Sequence, residues 1–289
     1  MPGVTSRDSG NSTVGEVFVL EDETARSRVE LAPKRGALVT AMRVGDRDVL
    51  YLDEATLKDP SKSVRGGIPV LFPSPGKLVD DEWRDGDRAF TMKQHGFART
   101  MPWSVLGWSS EGAASVTLGL ASNGVTLAEY PWAFHTSLTF TLSGPKLRIT
   151  SKVWNDSGSE MRFGIGYHPY FKVDDKAHAR VDTRATQAFD NVKKQNVPFA
   201  GFDFTAKEVD MHLLDHGSTA TTLHLGDGGH IDVRGSAEFT RWVVWTLEGK
   251  PFVCVEPWSA PGNALNTGEH LLRLPPGGAL ETFIEIAAG

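Results

Sequence analysis

The sequence contains a single cysteine, Cys254, in 289 residues. One cysteine cannot form an internal disulfide, which excludes the cross-linked frameworks of small secreted domains. No apolar run approaches the roughly 18 residues that a membrane-spanning helix requires, so we expect no membrane-embedded role. The N-terminus, MPGVTSRDSGNSTVGEV, also lacks the basic start and the apolar core of a secretory signal. These absences predict a cytoplasmic protein.

Net positive charge and nucleotide-binding motifs are absent as well. The 30 Lys and Arg residues are outnumbered by 36 Asp and Glu residues, which gives a formal net charge of −6, and no basic run occurs. General nucleic-acid binding needs a positive field, so we expect no DNA or RNA partner. The chain has no GxGxxG or GxxxxGK(S/T) phosphate loop and no GxSxG nucleophile elbow. We therefore expect no nucleotide cofactor and no Ser-His-Asp hydrolase.

A two-residue alternation of apolar and polar side chains runs through much of the chain. In residues 134–142, FHTSLTFTL, the side chains of Phe134, Leu138 and Phe140 fall on one face, as in a strand buried on one side. The other strand candidates are residues 17–20, 37–44, 48–52, 114–122, 146–154, 221–225, 230–233, 241–246, 252–256 and 280–286.

Turns rich in Gly, such as LSGPK at 142–146 and GDGGH at 226–230, separate these candidates at short intervals. Hardly any segment shows the 3.6-residue period of a helix. Many short strands with Gly and Pro punctuation are typical of an all-β fold, and we predict a large antiparallel β-sandwich.

The chain is expected to form one domain behind a short tail. Residues 1–13 are mostly Gly, Ser, Thr, Asn and Asp, with almost nothing to bury, which predicts a flexible N-terminal tail. No repeat or Pro/Ser-rich linker divides residues 14–289. Two segments, 58–102 and 185–212, show no clear periodicity. Long irregular loops are usually functional, so we expect both to form walls of a site on one face of the sandwich.

Two titratable residues stand directly before a proline at the end of a strand candidate. His168 precedes Pro169 in GIGYHPYFKV, and Glu256 precedes Pro257 in FVCVEPW. Proline cannot donate to a β ladder and biases the residue before it toward an extended conformation, so pairing should stop at both places. This repeated arrangement, a titratable residue directly before a proline, favours two groups at the rim of a common site. The alternatives are a structural histidine and a rim carboxylate paired with an arginine.

A second group of candidates lies in the segment 58–102. Arg65 could bind oxygen atoms with its guanidinium group, and Gly66 and Gly67 could let the backbone approach a ligand closely. His95, before Gly96, is a further exposed imidazole candidate. Taken alone, the glycine pair could equally be a turn, and the arginine could equally form a surface ion pair.

A metal site is not expected. His212 and His216 have the i, i+4 spacing of a metal-binding pair only if their segment is helical, but Gly217 follows and no HExxH motif occurs. Several aromatic residues could stack on a sugar ring or could belong to the core. They are Trp83, Trp103, Tyr167, Tyr170 and Trp258.

Five stretches together are similar to the aldose 1-epimerases, or mutarotases, of the galactose mutarotase-like superfamily. The stretches are RGGIPVLFP (65–73), QHGFAR (94–99), GYHPYF (166–171), EVD (208–210) and VCVEPWSAPGNALNTGE (253–269). Their order and separations resemble the hexose-6-phosphate mutarotase branch, and the resemblance extends from about residue 30 to the end. It implies a large antiparallel β-sandwich and cofactor-free interconversion of the α and β anomers of a sugar, with a monomer as the expected state.

The resemblance also assigns roles. It implies that His168 donates a proton to the ring oxygen and that Glu256 takes one from the anomeric hydroxyl. The positions that it matches to substrate binding are Arg65, Gln94, His95, Arg99 and Asp210.

Two departures leave the substrate open. HPYF stands where phosphate-preferring members usually have HTYF, and VVWTLEGKP (243–251) stands where they have a WNP stretch. Arg65 and Arg99 could still bind an anion. The alternative hypotheses are a non-catalytic carbohydrate-binding protein and a metal-dependent hydrolase that uses His212 and His216.

Overall fold

Short antiparallel strands dominate the computed structural model, which describes residues 1–289. Strands account for 49% of the chain and helices for 7%, so the prediction of an all-β fold is confirmed. The three α-helices have at most six residues each. None of the helices has the length and apolar character that crossing a membrane would require.

The elements of the first half of the chain alternate strands with short helices. They are β1 (Pro2–Asp8), β2 (Glu16–Asp22), β3 (Ser27–Ala32), a 3-10 turn (Pro33–Arg35), β4 (Leu38–Val44), β5 (Arg47–Asp48), α1 (Glu54–Lys58), β6 (Val70–Leu71), a 3-10 turn (Val79–Asp81), β7 (Glu82–Asp85), β8 (Arg88–Thr91), β9 (Ser104–Ser109), β10 (Ala114–Ala121), α2 (Gly124–Glu129) and β11 (Phe134–Ser143).

The second half is almost entirely strand. Its elements are β12 (Lys146–Asn155), β13 (Met161–Phe163), β14 (Gly166–Tyr167), β15 (Tyr170–Lys172), β16 (Arg180–Val181), β17 (Gln187–Asp190), β18 (Gln195–Pro198), β19 (Glu208–Leu213), β20 (Ala220–His224), β21 (His230–Gly235), β22 (Arg241–Leu247), β23 (Phe252–Trp258), α3 (Ala264–Thr267), β24 (Leu272–Leu274) and β25 (Ala279–Ala288).

Two eight-stranded sheets organise the molecule. The outer sheet has the order β16-β20-β21-β25-β12-β11-β10-β9, and the site sheet has the order β18-β17-β19-β22-β23-β14-β6, with β15 also paired to β23. Strands β1 to β5 form a third, N-terminal sheet. β7 and β8 form a hairpin, and β13 and β24 form a two-stranded pair that joins distant parts of the chain. The turns predicted at 142–146 and 226–230 connect β11 to β12 and β20 to β21, as expected.

One core of 58 buried residues receives side chains from all three large sheets. Val116 and Ile149 contribute to it from the outer sheet, and Val253 and Val255 contribute from β23. Because side chains alternate along a strand, Cys254 and Glu256 lie on the opposite face of β23. The core therefore supports the back of the site sheet and leaves its other face for chemistry.

The first residues are a strand and not a flexible tail. Residues Pro2 to Asp8 pair with β2 over its full length, so the predicted boundary at residue 13 is wrong. The polar residues that suggested mobility close the turn between the strands, where the Asn11 side-chain oxygen accepts from the N–H groups of Thr13 and Val14. An edge strand held by backbone bonds needs few apolar side chains, which is why composition misled the prediction.

The segment 185–212 is also more regular than predicted, since it contains β17, β18 and most of β19. Segment 58–102 holds only short strands around long irregular stretches, as predicted. The polar residues of β17 and β18 obscure the alternation. Each strand has only four residues; β18 is the edge strand of the site sheet, and β17 lies next to it.

Candidate functional site

His168 lies in a gap between two strands that pair with the same partner. β14 and β15 both pair with β23, and His168 and Pro169 separate them. The prediction that strand pairing stops at His168 is confirmed. Its backbone N–H donates to the Pro69 carbonyl at 3.0 Å, and its ring stacks on Tyr170 with centroids 4.6 Å apart. The side chain is buried, so it lies on the floor of the site and not at the rim.

Glu256 does not end its strand, which corrects the second half of the prediction. β23 continues through Pro257, which pairs opposite Trp242. The N–H of Ser259 donates to Ile165 on the β14 side, and N–H directions alternate along a strand, so the nitrogen of Pro257 faces the same side. The common register of β14 and β15 on β23 places Pro257 opposite Tyr167, the last residue of β14. The missing N–H of Pro257 therefore falls where the ladder between β14 and β23 ends.

The gap brings His168 and Glu256 together although they are far apart in the sequence. His168 Nε2 lies 3.4 Å from Glu256 Oε1, and Glu256 Oε2 accepts from the Trp258 indole N–H at 3.1 Å. Both side chains are buried. His168 Nδ1 has no hydrogen-bond partner, which leaves one ring nitrogen free for a ligand.

Burial shifts the pKa values of the two groups in opposite directions. Desolvation lowers the pKa of His168 well below its ordinary value, and His95 and Arg99 add to the effect. Desolvation raises the pKa of Glu256 well above its ordinary value, and the Asp210 carboxylate raises it further. In the absence of a ligand, burial therefore favours the neutral form of each group.

His95 lies beside this pair in a left-handed conformation, with φ of 75°. Its ring meets His168 edge-on at 5.5 Å and Trp258 edge-on at 5.9 Å. Burial, with the charge of Arg99, lowers the pKa of His95 to about 3. A neutral His95 donates from Nδ1 to the Pro75 carbonyl, which leaves Nε2 as an acceptor.

The two predicted arginines occupy different depths. Arg65 is exposed, and its guanidinium carbon lies 5.8 Å from the centre of the Trp245 ring. Arg99 is half-buried and donates to the Val64 carbonyl at 3.3 Å, and burial lowers its pKa. Gln94 is exposed and makes no hydrogen bond to another residue.

The two glycines after Arg65 serve the fold. Gly66 and Gly67 both have positive φ, of 133° and 65°. A Cβ on Gly66 would lie 2.5 Å from the Leu52 Cα, and one on Gly67 would lie 2.1 Å from the Val39 carbonyl oxygen. The close approach that we predicted toward a ligand is therefore an approach to neighbouring backbone.

Asp210 projects from β19 on the face that carries Glu256. It pairs opposite Trp245 of β22, and its Oδ2 accepts from the Asn191 side-chain amide at 2.6 Å. Its influence on the pKa of Glu256 shows that the two carboxylates share one electrostatic environment.

Sequence reasoning did not assign Asn191, Trp245 or Cys254 to this face, and it considered His212 only as a metal ligand. Three of them could have been found from the two-residue period, because His212 follows Asp210, Cys254 precedes Glu256, and Trp245 lies in a strand candidate. Asn191 carried no sequence signal, since only the pairing of β17 with β19 brings it beside Asp210.

The aromatic candidates divide between site and core. Tyr170 stacks on His168, and Trp258 donates to Glu256. Trp83, Trp103 and Tyr167 belong to the main core. Two surface hollows, of about 620 and 360 Å³, contain none of the predicted site residues.

The structure argues against a metal site at His212 and His216. His212 lies on β19 and not on a helix. Both nitrogens of His216 have partners, since Nδ1 lies 2.8 Å from the Thr183 hydroxyl and Nε2 lies 3.1 Å from the Ala220 carbonyl. The residues best arranged to hold a metal are His168, Cys254 and Glu256, whose ligand atoms all lie within 4.8 Å of one another.

Sequence comparisons relate the chain to known proteins. The family model described as aldose 1-epimerase matches residues 18–278. A protein called LacX from Lactococcus lactis subsp. lactis is 26% identical over 274 residues, which cover 83% of this chain and 87% of LacX. A protein from Cenchrus ciliaris with a provisional name of glucose-6-phosphate 1-epimerase is 31% identical over 230 residues, which cover 75% of this chain and 63% of that protein.

Solved structures share the fold. A protein from Synechocystis sp. PCC 6803 superposes with a TM-score of 0.92 at 34% identity, covering 94% of this chain and 95% of that one. A galactose mutarotase-like protein from Clostridium acetobutylicum has a TM-score of 0.84 at 17% identity, covering 100% and 98% of the two chains. The fold is therefore the galactose mutarotase-like β-sandwich that the sequence predicted.

Proposed function

Because this chain belongs to the aldose 1-epimerase family, we propose that it interconverts the α and β anomers of a hexose or a hexose 6-phosphate. The juxtaposition of His168 and Glu256 carries the proposal. Two titratable groups from distant parts of the chain lie 3.4 Å apart in a strand gap, buried and only partly satisfied by the protein. A sugar-binding surface needs hydrogen bonds but has no need of such an acid-base pair.

Anomer exchange requires one acid and one base. His168 delivers a proton to the ring oxygen while Glu256 takes the proton of the anomeric hydroxyl, and the ring bond between the anomeric carbon and the ring oxygen breaks. The product is an open-chain aldehyde. The aldehyde group at the former anomeric carbon then rotates. The two residues return the protons in the opposite sense, and the ring recloses.

The pair carries one proton in total throughout this cycle. Before ring opening the proton is on His168 and Glu256 is a carboxylate; after ring opening His168 is neutral and Glu256 is protonated. Burial favours the neutral form of each group, and that is the state of the pair beside the open chain. Ring opening therefore moves the pair toward the form that burial favours, while burial makes the charged form that must act first harder to reach. General acid-base help of this kind is typically worth ~10²–10⁴-fold.

The remaining residues hold the sugar in this proposal. Asp210 accepts hydroxyl protons, and His95 accepts one at Nε2 because its Nδ1 is engaged by Pro75. The aromatic faces of Trp245 and Tyr170 flank His168 and suit the apolar face of a sugar ring. Gln94 and Arg65 lie exposed, where they can contact the outer hydroxyls.

Whether the substrate carries a phosphate is a separate question. The Cenchrus ciliaris relative has glucose 6-phosphate in its name, and Arg65 and Arg99 offer two guanidinium groups beside the site. The HPYF stretch and the absence of a WNP stretch argue against a preference for the phosphate. We assign Arg99 to the phosphate, because it has only one weak protein contact. A cytoplasmic location, a monomeric state and independence from cofactors remain predictions of the sequence.

The deciding experiment is anomer exchange followed by NMR on glucose, galactose and glucose 6-phosphate. We expect the folded wild type to accelerate at least one exchange, and His168→Asn to lower that rate by ~10²–10⁴-fold. If the wild type binds a sugar without accelerating any exchange, the chain is the carbohydrate-binding protein that we considered as the alternative. If it turns over but His168→Asn keeps its rate, the role of His168 is wrong.

A further inference from the structure

His212 lies on the site face of β19 among neighbours that would suit an apolar residue. It pairs opposite Phe189 of β17 and opposite Val243 of β22. Its side chain is 12% exposed. An imidazole gains nothing there from packing alone, so its polar atoms need an explanation.

Two contacts of His212 supply one. Its Nε2 lies 3.4 Å from Asp210 Oδ1, while the other carboxylate oxygen accepts from Asn191. Its ring meets the Trp258 ring edge-on, with centroids 5.3 Å apart. His212 therefore touches one residue that we assign to sugar binding and one that donates to Glu256.

Two imidazole rings pack against the Trp258 indole. His95 approaches its ring at 79° and 5.9 Å, and His212 approaches it at 85° and 5.3 Å. The indole N–H donates to Glu256 Oε2 at 3.1 Å. A rotation of the indole would remove that bond, so the residues that pack against the ring control the orientation of the carboxylate.

We propose that His212 is a positioning residue of this site: its Nε2 fixes the Asp210 carboxylate for the sugar, and its ring fixes the Trp258 indole that orients Glu256. The proposal rests on the proposed function. Its two contacts involve different parts of the side chain, so two substitutions can separate them.

Steady-state kinetics of His212→Phe and His212→Gln provide the test. His212→Phe keeps a ring against Trp258 and loses the polar contact, so we expect KM to rise about three- to tenfold with kcat little changed, because a less well oriented Asp210 makes a weaker hydrogen bond to the sugar. His212→Gln keeps a polar atom near Asp210 and loses the ring, so we expect KM near wild type and kcat lowered several-fold. Adding His212→Phe to Asp210→Asn should change KM little further, because both act through the same carboxylate.

The outer sheet offers a matched control. His224 on β20 also pairs with an aspartate, since its Nε2 lies 2.8 Å from Asp182 Oδ2, and His224→Phe should leave KM and kcat unchanged. Identical changes in both His212 variants, or an equal loss in His224→Phe, would overturn the proposal.

Should the wild type lack turnover, the proposed function fails, but equilibrium sugar binding measured by NMR still tests the Asp210 contact. Weaker binding by His212→Phe than by His212→Gln supports the contact, and equal binding overturns it.

Discussion

The outer sheet and the site sheet use antiparallel pairing in different ways. In the outer sheet, β11 and β12 pair over ten residues without interruption, and the buried hydroxyls of Ser151 and Thr282 satisfy each other at 2.6 Å. In the site sheet, β23 is met by two short strands with His168 between them. There a ring nitrogen stays without a partner, and the pKa values of two buried groups move away from their ordinary values.

The difference shows where polar groups can be left for a ligand. A continuous ladder satisfies every backbone group and makes buried polar side chains costly unless they pair. An interrupted ladder opens a small region in which side chains are held by the sheet but not satisfied by it. Strain and unsatisfied groups concentrate at functional sites for this reason.

The largest expected effect comes from comparing two glutamates, one in the site sheet and one in the outer sheet. Glu256→Gln removes the proposed base and should lower the rate of anomer exchange by ~10²–10⁴-fold while the protein stays folded. Glu285→Gln breaks a half-exposed ion pair with Arg148 in the outer sheet and should change stability by at most ~1 kcal/mol with turnover intact. NMR exchange rates and urea unfolding of both variants check this. Equal turnover in the two variants would remove the functional distinction between the sheets.

A substitution in the core of the outer sheet should instead lower stability and leave turnover unchanged. Ile149 is fully buried in β12, and Ile149→Ala should lower the free energy of unfolding by ~2–5 kcal/mol because it leaves a cavity in the core. Turnover per folded molecule should stay at the wild-type value. Ile149→Val is the matched control, with an expected loss of ~0.5–1.5 kcal/mol in the same urea titration. A large loss of turnover in the folded variant would show that the outer sheet takes part in the chemistry.

A smaller effect separates phosphorylated from free sugars. Arg99→Ala should weaken kcat/KM for glucose 6-phosphate by about 10–100-fold, as expected for the loss of hydrogen bonds to a charged group, and should leave free glucose nearly unchanged. Arg148→Ala in the outer sheet is the control. Parallel losses on the two sugars would assign Arg99 to the ring and not to a phosphate.

A further prediction is a pH dependence of stability. The folded pKa of His95 is about 3 and its ordinary value is 6.5, so between these values the unfolded chain binds a proton that the folded chain does not. Stability should therefore fall as the pH falls below 6.5. His95→Asn should reduce this slope by at most ~1.4 kcal/mol per pH unit, measured by urea unfolding between pH 7 and about pH 4. An unchanged slope would mean that His95 takes up its proton in the folded state.

Much of the fold follows from local pattern. The alternation in β10, β11, β12 and β25 identified the longest strands, and the turns at 142–146 and 226–230 were placed correctly. The errors fall at edges. Residues 2–8 and β18 are edge strands that bury little apolar surface, and the four-residue β17 lies next to β18. Backbone bonds hold all three strands, which composition does not record.

The candidate site was predicted in part. His168 was located at a break in strand pairing because proline constrains its neighbours in a known way. The same rule failed for Glu256, because a proline can remain within a strand when its nitrogen points away from the neighbouring strand with which it pairs. Asn191 could not be predicted at all, since its contact with Asp210 depends on which strands become neighbours.

The sequence by itself determined the strands, their buried faces and the chemical groups available, since these depend on the local order of side chains and on the backbone limits of proline and glycine. Only the tertiary structure decided that the break at His168 lies opposite Glu256, and that His212 lies between Asp210 and Trp258. Those relations join residues that are distant along the chain. Sheet register places them within a few ångströms of one another, and their shared burial then shifts the pKa values on which the proposed chemistry depends.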